Sequence, residues 1–276
     1  MKKTFLFLIL ISVLSSSCKD EFEKLRSSGD VKLLLKRSLE YYAKGEYSKA
    51  QTLFELIMPS IKGQAVLEEV SYKYAYTHFY NRNYLSANFY FKNFSTTFST
   101  SPLREDAEWM AAYVEYKQSP SYRLDQESSM KAIEGFQYFA NNFPESPKVK
   151  ECNKLIDVLR KKMERKSFEE GQLYYNLSQY QASITVFENL LKDFPDASDT
   201  EQIRFLILKA QYELAANSIY EKQLDRFKLV VSKHKDFSDK FPKSRFKVEA
   251  ETYLKNANNK IKELNNVRHQ NQSAGS

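Results

Sequence analysis

A small residue followed at +4, +7 and +11 by large, mostly apolar ones recurs five times along this 276-residue chain. The copies read Ala50-Phe54-Ile57-Ile61, Ala87-Phe91-Phe94-Phe98, Ala132-Phe136-Phe139-Phe143, Ser183-Phe187-Leu190-Phe194 and, with Val230 in the small position, Val230-His234-Phe237-Phe241. Residues three and four apart stack on one side of an α-helix, so each copy is one buried helix face. Proline stands directly after the last aromatic at Pro144, Pro195 and Pro242, and slightly later at Pro102. It cannot continue a helix, so Phe-Pro-Glu-Ser, Phe-Pro-Asp-Ala-Ser and Phe-Pro-Lys-Ser are three copies of one helix ending. Only 6 Gly and 7 Pro interrupt the sequence, while 19 Tyr and 20 Phe supply aromatic knobs, a balance that favours an all-α chain.

Each signature helix follows another amphipathic stretch, over 32–44, 67–80, 103–117, 166–177 and 201–216. A helix pair per unit, with a small residue where the helices cross closely, is the tetratricopeptide arrangement. Counted through Phe54, Phe91, Phe136, Phe187 and His234, the intervals are 37, 45, 51 and 47 residues. These exceed the ideal period of about 34 and locate insertions, one over 118–128 and one in a lengthened helix over 152–165. Gly171 occupies the close-approach position of the fourth unit, with Tyr174 three residues on. The expected fold is an all-α tetratricopeptide solenoid of about five helix pairs over 31–262. A tether over 18–30 precedes it, and a polar, disordered tail over 263–276 follows.

The N-terminus begins with Lys2 and Lys3, runs through apolar residues 5–14, and closes with Ser15, Ser16 and Ser17 before Cys18. This is a secretory leader, read over 1–17. An apolar run of about ten residues rises roughly 15 Å as a helix, against a hydrocarbon core of about 30 Å, so it is no lasting transmembrane anchor. A cysteine directly after the leader reads as the acylated first residue of a bacterial lipoprotein, with Ser15 where such sites usually have Leu. The alternative is a secreted chain with an incidental thiol. Several acyl chains on Cys18 would hold the protein stably on a membrane. No other cofactor is implied.

Removing Lys2 and Lys3 lowers the formal charge from +7 to +5 (7 − 2). Export removes nucleic acid as a partner, and the Lys and Arg are interspersed with acidic residues as on solvated helix faces. With Cys18 acylated, Cys152 has no disulfide partner and reads as a semi-buried helical thiol. His78, His234 and His269 are scattered, and the sequence has no HExxH, glycine-rich phosphate loop or CxxC. Neither catalytic nor metal-binding residues are assigned, and the chain is read as a non-enzyme.

The lipoprotein leader, five divergent helix pairs and Phe-Pro-x-Ser endings together resemble the BamD family, lipoproteins of the outer-membrane β-barrel assembly machinery. Ala111-Ala112-Tyr113, then Ser119-Pro120-Ser121-Tyr122-Arg123-Leu124-Asp125-Gln126 and Ala132-Ile133, is especially similar to members from Bacteroidetes-type bacteria. The resemblance implies an outer-membrane protein, lipid-anchored through Cys18 and facing the periplasm. It also implies partners: the POTRA domains of a BamA-like barrel protein, other assembly-machinery subunits and unfolded outer-membrane proteins. Lys19-Asp20-Glu21 also resembles an acidic tag for surface export, which leaves the leaflet open. A tetratricopeptide adaptor for cell-wall synthesis, division or another envelope complex is the alternative. A glycan-binding lipoprotein of the SusD type fits less well, since such chains are about twice as long.

Projecting the repeat register places Lys32, Leu35 and Tyr42 on the groove side of the first unit, and Tyr72, Tyr76 and Phe79 on that of the second, with Arg82 nearby. The core of the second pair is already supplied by Tyr84, Phe91 and Phe94, so the Tyr72-Tyr76-Phe79 stripe is spare. One reading is that it receives aromatic residues of an unfolded barrel strand, with Lys32 and Arg82 favouring a terminal carboxylate. The other is packing against a neighbouring repeat or the tether. By analogy with the family, Phe168, Gln172 and Tyr175 of the fourth unit are candidates for docking the barrel protein's periplasmic domains.

Overall fold

The computed structural model describes residues 21–274, with side chains as far as Val267. The leader over 1–17 and the lipid site at Cys18 lie outside the described residues. Among the described residues the elements are helical throughout. After a helical stretch over 21–26 come α1 (Val31–Ala43), α2 (Tyr47–Ile57), a 3-10 turn (Met58–Ile61), α3 (Val66–Tyr80), α4 (Tyr84–Thr97), α5 (Arg104–Gln118) and α6 (Glu127–Asn142). They are followed by α7 (Val149–Asn176), α8 (Tyr180–Asp193), α9 (Thr200–Ala216), α10 (Tyr220–Lys240) and α11 (Lys247–Ala274). This is an all-α fold of tetratricopeptide-type helix pairs: α1 with α2, α3 with α4, α5 with α6, the second half of α7 with α8, and α9 with α10.

The repeated sequence devices become repeated geometry. The pair-joining turn recurs at Gly45 (φ 76°), Arg82 (φ 60°) and Ser178 (φ 57°), each in the left-handed region. There the Glu46, Asn83 and Gln179 N–H groups each donate at 2.9 Å to the carbonyls of Tyr41, His78 and Tyr174. Such bonds satisfy carbonyls left open at a helix C-terminus. At the Phe-Pro endings the Phe143, Phe194 and Phe241 N–H groups bond back four residues, and their carbonyls accept from the Ser146, Ala197 and Ser244 N–H groups. Asp30 and Asp199 cap α1 and α9, accepting the Leu33 and Gln202 N–H groups at 3.1 and 2.9 Å.

The described residues form two compact units, one of residues 21–120 with 125–156 and the other of residues 121–124 with 157–274. In the first unit, Phe54, Ile57, Phe91, Phe94, Phe136 and Phe139 are fully or almost fully buried, as the signature requires. In the second, Phe187, Leu190, His234 and Phe237 take the equivalent positions. Cys152 is buried, and that burial pushes its thiol up to about 11. Among the described residues, no helix is long and apolar enough to cross a membrane.

Three expectations change. The stretch read as a tether is helical over 21–26, and Phe22 and Leu25 pack on the first core, with Phe22 edge-on to Tyr41 at 5.8 Å. The stretches 152–165 and 166–177 form one 28-residue helix, because no proline intervenes. The polar tail expected from 263 is corrected: α11 runs on to Ala274. Ala250, Ala257 and Leu264, spaced by seven, are all buried, and this apolar stripe holds the helix past 262.

Candidate functional site

On α3, Tyr72, Tyr76 and Tyr80 are spaced by four and therefore lie on one face; on α5, Asp106, Trp109 and Tyr113 do the same at three- and four-residue spacing. The ends of the helix pairs join these faces. Tyr47, the first residue of α2, meets Tyr42 of α1 at 5.5 Å and stacks on Tyr80 at 4.2 Å, 18° from parallel. From Tyr80 the contacts run to Tyr76 at 5.8 Å and on to Tyr72 at 5.0 Å. Phe79 meets Tyr113 at 6.2 Å, and Tyr113 stacks on Trp109 at 4.7 Å. The result is an aromatic face across α1, α3 and α5 of the first unit.

Asp106 sits within this face. Tyr72 donates its hydroxyl to Asp106 Oδ2 at 2.6 Å, Tyr76 donates to the same oxygen, and Lys148 donates to Oδ1 at 2.5 Å. Burial alone pushes the Asp106 carboxyl up, but the Lys148 ammonium and the two hydroxyls outweigh it and hold the group below the usual carboxylate range. Burial first, and the Asp106 bond second, push the Tyr72 and Tyr76 hydroxyls well above the ordinary tyrosine value, so both remain donors. Three ammonium groups lie over aromatic rings here: Lys73 over Tyr42 at 4.8 Å, Lys148 over Trp109 at 4.6 Å and Lys117 over Tyr113 at 5.9 Å. The face therefore combines aromatic rings with ammonium groups set over three of them.

The structure brings Tyr42, Tyr72, Tyr76 and Phe79 together. It also corrects the notion that Tyr72 and Tyr76 are spare: Tyr72 packs on Phe94 at 5.5 Å and Tyr76 on Phe91 at 4.9 Å. One edge of each ring completes the core while the hydroxyl edge meets Asp106. Leu35 is half-buried in the first core. Lys32 and Arg82 are both exposed and do not converge. Tyr42 lies at the end of α1 near the end of α3, and Lys32, ten residues earlier, is about 15 Å back along the helix. Tyr47, Tyr80, Asp106, Trp109, Tyr113, Lys73, Lys117 and Lys148 are members that sequence reasoning missed. The spacing of Asp106, Trp109 and Tyr113 was a usable signal, whereas Lys148 arrives from beyond three prolines and has none.

In the second unit, Phe168 packs on buried Phe187 at 5.9 Å, so its ring serves the core of the fourth pair. Gln172 is half-buried. Tyr175 meets Tyr180 at 5.5 Å, carries the Lys209 ammonium over its ring at 5.6 Å, and is pushed up to about 12, chiefly by burial. Further along, Tyr212 packs on Tyr253 at 4.8 Å, and Glu249 pairs with Lys209 at 3.7 Å while accepting the Tyr253 hydroxyl at 2.8 Å.

Repeated helix pairs that cross closely at small residues, as at Gly135 with Ala112 and at Gly171 with Ser183, define a tetratricopeptide-type protein. Its family is shown by the match of a family model over residues 28–226: the chain belongs to the YfiO family of outer membrane lipoproteins. Three solved structures are similar in helical pattern. They are MamA protein (14% identity, 78% of this chain and 95% of that one, TM-score 0.31), a tetratricopeptide repeat protein from Parabacteroides merdae (11%, 82% and 78%, 0.34), and a thermophilic TPR protein from Thermus thermophilus (17%, 81% and 98%, 0.31). No curated protein matches the chain.

Proposed function

We propose that this chain is the scaffold lipoprotein of an outer-membrane β-barrel assembly machinery. It is a binding subunit and not an enzyme. A lipid on Cys18 anchors it, facing the periplasm, where it binds the POTRA domains of a BamA-like barrel protein and other machinery subunits and helps unfolded outer-membrane proteins to insert. The observation that carries this reading is the family match over residues 28–226.

The aromatic face of the first unit supports a role in receiving substrate. Strands of outer-membrane barrels alternate apolar residues and carry aromatic girdles. Their rings suit the exposed edges of Tyr42, Tyr80 and Phe79, and a strand's terminal carboxylate suits Lys73 and Lys148 better than the distant Lys32 and Arg82. Tyr175, with Gln172 and the exposed edge of Phe168, is the corresponding candidate for docking the barrel subunit.

The test is an affinity pull-down of the tagged, membrane-extracted lipoprotein with partners identified by mass spectrometry. Near-stoichiometric recovery of a POTRA-containing barrel protein is the expected result. Enrichment of a cell-wall enzyme or a TonB-dependent transporter in its place would overturn the assembly role and favour another envelope adaptor. For the aromatic face, Tyr80→Ala with Lys73→Glu removes a ring that is 45% exposed and reverses one partly exposed charge, and with folding verified by circular dichroism it should weaken photo-crosslinking to a barrel C-terminal peptide. Unchanged crosslinking would sink the substrate reading.

A further inference from the structure

Helix α5 has a second working side. Asp106, Trp109 and Tyr113 face the aromatic surface, whereas Arg104, Glu108, Ala111 and Glu115 lie about half a helical turn away, on the opposite side. There they floor a groove of about 850 Å³ walled by α4 and α6. The groove is deep because its floor is small. A Cβ added at Gly135 would stand 2.8 Å from the Ala112 Cβ, so α5 and α6 meet with no side chain rising between them.

Glu108 is the anomaly on this floor. Its side chain is only 8% exposed; Oε1 accepts from Arg104 Nε at 2.8 Å, but Oε2 is buried without a hydrogen-bond partner. A buried carboxylate oxygen left unmatched is costly, and native proteins rarely keep one without a reason. Two turns on, Glu115 is half-buried, and that burial pushes its carboxyl up despite Lys92 and Lys131. Of the cations lining the groove, Arg104 is held by Glu108 and Lys131 by Glu127 at 2.7 Å, while Lys92 on the α4 wall acts on Glu115 and Glu134 adds a third carboxylate from α6. At the rim, Tyr138 is 58% exposed.

We propose that the groove between α4 and α6 docks a segment of a partner protein that inserts a lysine or arginine side chain against Glu108 and Glu115 while its apolar neighbours cover Tyr138. An acidic segment would meet the open Glu108 oxygen with like charge, and a wholly apolar one would leave that oxygen unmatched. The volume lies within the range of sites that enclose a ligand of several side chains. This face is distinct from the aromatic surface, so both can be occupied together.

The test selects a random displayed peptide library against the folded chain, with counter-selection on Ala111→Phe, which fills the floor. Tyr138→Arg, an exposed change that sets a cation over the groove, serves as a second counter-variant should the first not fold. Enriched peptides should share a lysine or arginine flanked by apolar residues, and the synthetic consensus peptide should bind Glu108→Gln about tenfold more weakly than the parent. No enrichment over the counter-selected variant, a consensus without a basic residue, or unchanged binding to Glu108→Gln would each overturn the proposal.

Discussion

Replacing Gly171 with alanine should destabilise the second unit although alanine is the better helix former. A Cβ built at Gly171 lies 2.6 Å from Cε1 of Phe187 and 2.8 Å from Cδ1 and Cζ. Carbon atoms prefer about 3.5–4.0 Å, so the ring must retreat by roughly 1 Å. It has nowhere to go, because Phe187 is 0% exposed and packed on Phe168. The same crossing is tied by Ser183, whose hydroxyl donates to the Gly171 carbonyl at 2.8 Å. Overpacking of this kind costs about 1–3 kcal/mol, and the helix-propensity gain recovers up to about 1 kcal/mol. With the ring fully buried the cost lies in the upper part of that range, about 2–3 kcal/mol, so the expected net loss is about 1–2 kcal/mol, or roughly 2–8 °C in Tm for a chain of this size. Urea unfolding followed by far-ultraviolet circular dichroism measures it. Phe187→Leu vacates the space that the new methyl needs, so the double variant should lose less than the sum of the single losses, with a coupling of about 1–2 kcal/mol. Additivity within about 0.5 kcal/mol, or a neutral Gly171→Ala, would refute the close-approach argument.

His78 is buried with neither ring nitrogen hydrogen-bonded, stacked on Tyr90 and edge-on to Tyr74, and burial outweighs Glu55 to hold its pKa below 6.5. The unfolded chain therefore binds a proton first, and stability present above about pH 6.5 is lost as pH falls toward the depressed folded value. Urea midpoints from the fluorescence of Trp109, the chain's one tryptophan, should fall between pH 7.5 and 5.5, and less so in His78→Phe. Asp106 adds a second loss lower down: its folded pKa is depressed, so its contribution disappears as pH falls below about 4, and Asp106→Asn should flatten that part of the profile. Ser178→Gly relieves a left-handed backbone (φ 57°) and should stabilise by about 0.5–1 kcal/mol, measured as a rise in urea midpoint. Cys152, buried with its thiol pushed up to about 11, should react with a disulfide reagent at pH 8 only after guanidinium unfolding; rapid native labelling would contradict its burial.

Much of the architecture was legible because one device is copied. The small-residue signature and the Phe-Pro endings are local, and helix periodicity turns them into buried faces without knowledge of any neighbour. The aromatic stripe of α3 was equally visible, since Tyr72 and Tyr76 are one turn apart. Its ambiguity was real: the same rings pack on Phe91 and Phe94 and present their hydroxyls to Asp106, and periodicity does not distinguish the two edges of a ring.

What the sequence determined by itself is the set of helices, their faces and most of their ends, because these depend on residues within a turn or two of one another. What only the tertiary structure decided is which residues from different helices meet: Lys148 reaching Asp106, Tyr47 stacking on Tyr80, Lys32 lying too far back to join Arg82, and Glu108 left with an unmatched oxygen. Those outcomes depend on how far apart separate helices stand and where along each axis a side chain falls, and such distances are set by packing rather than by any spacing along the chain.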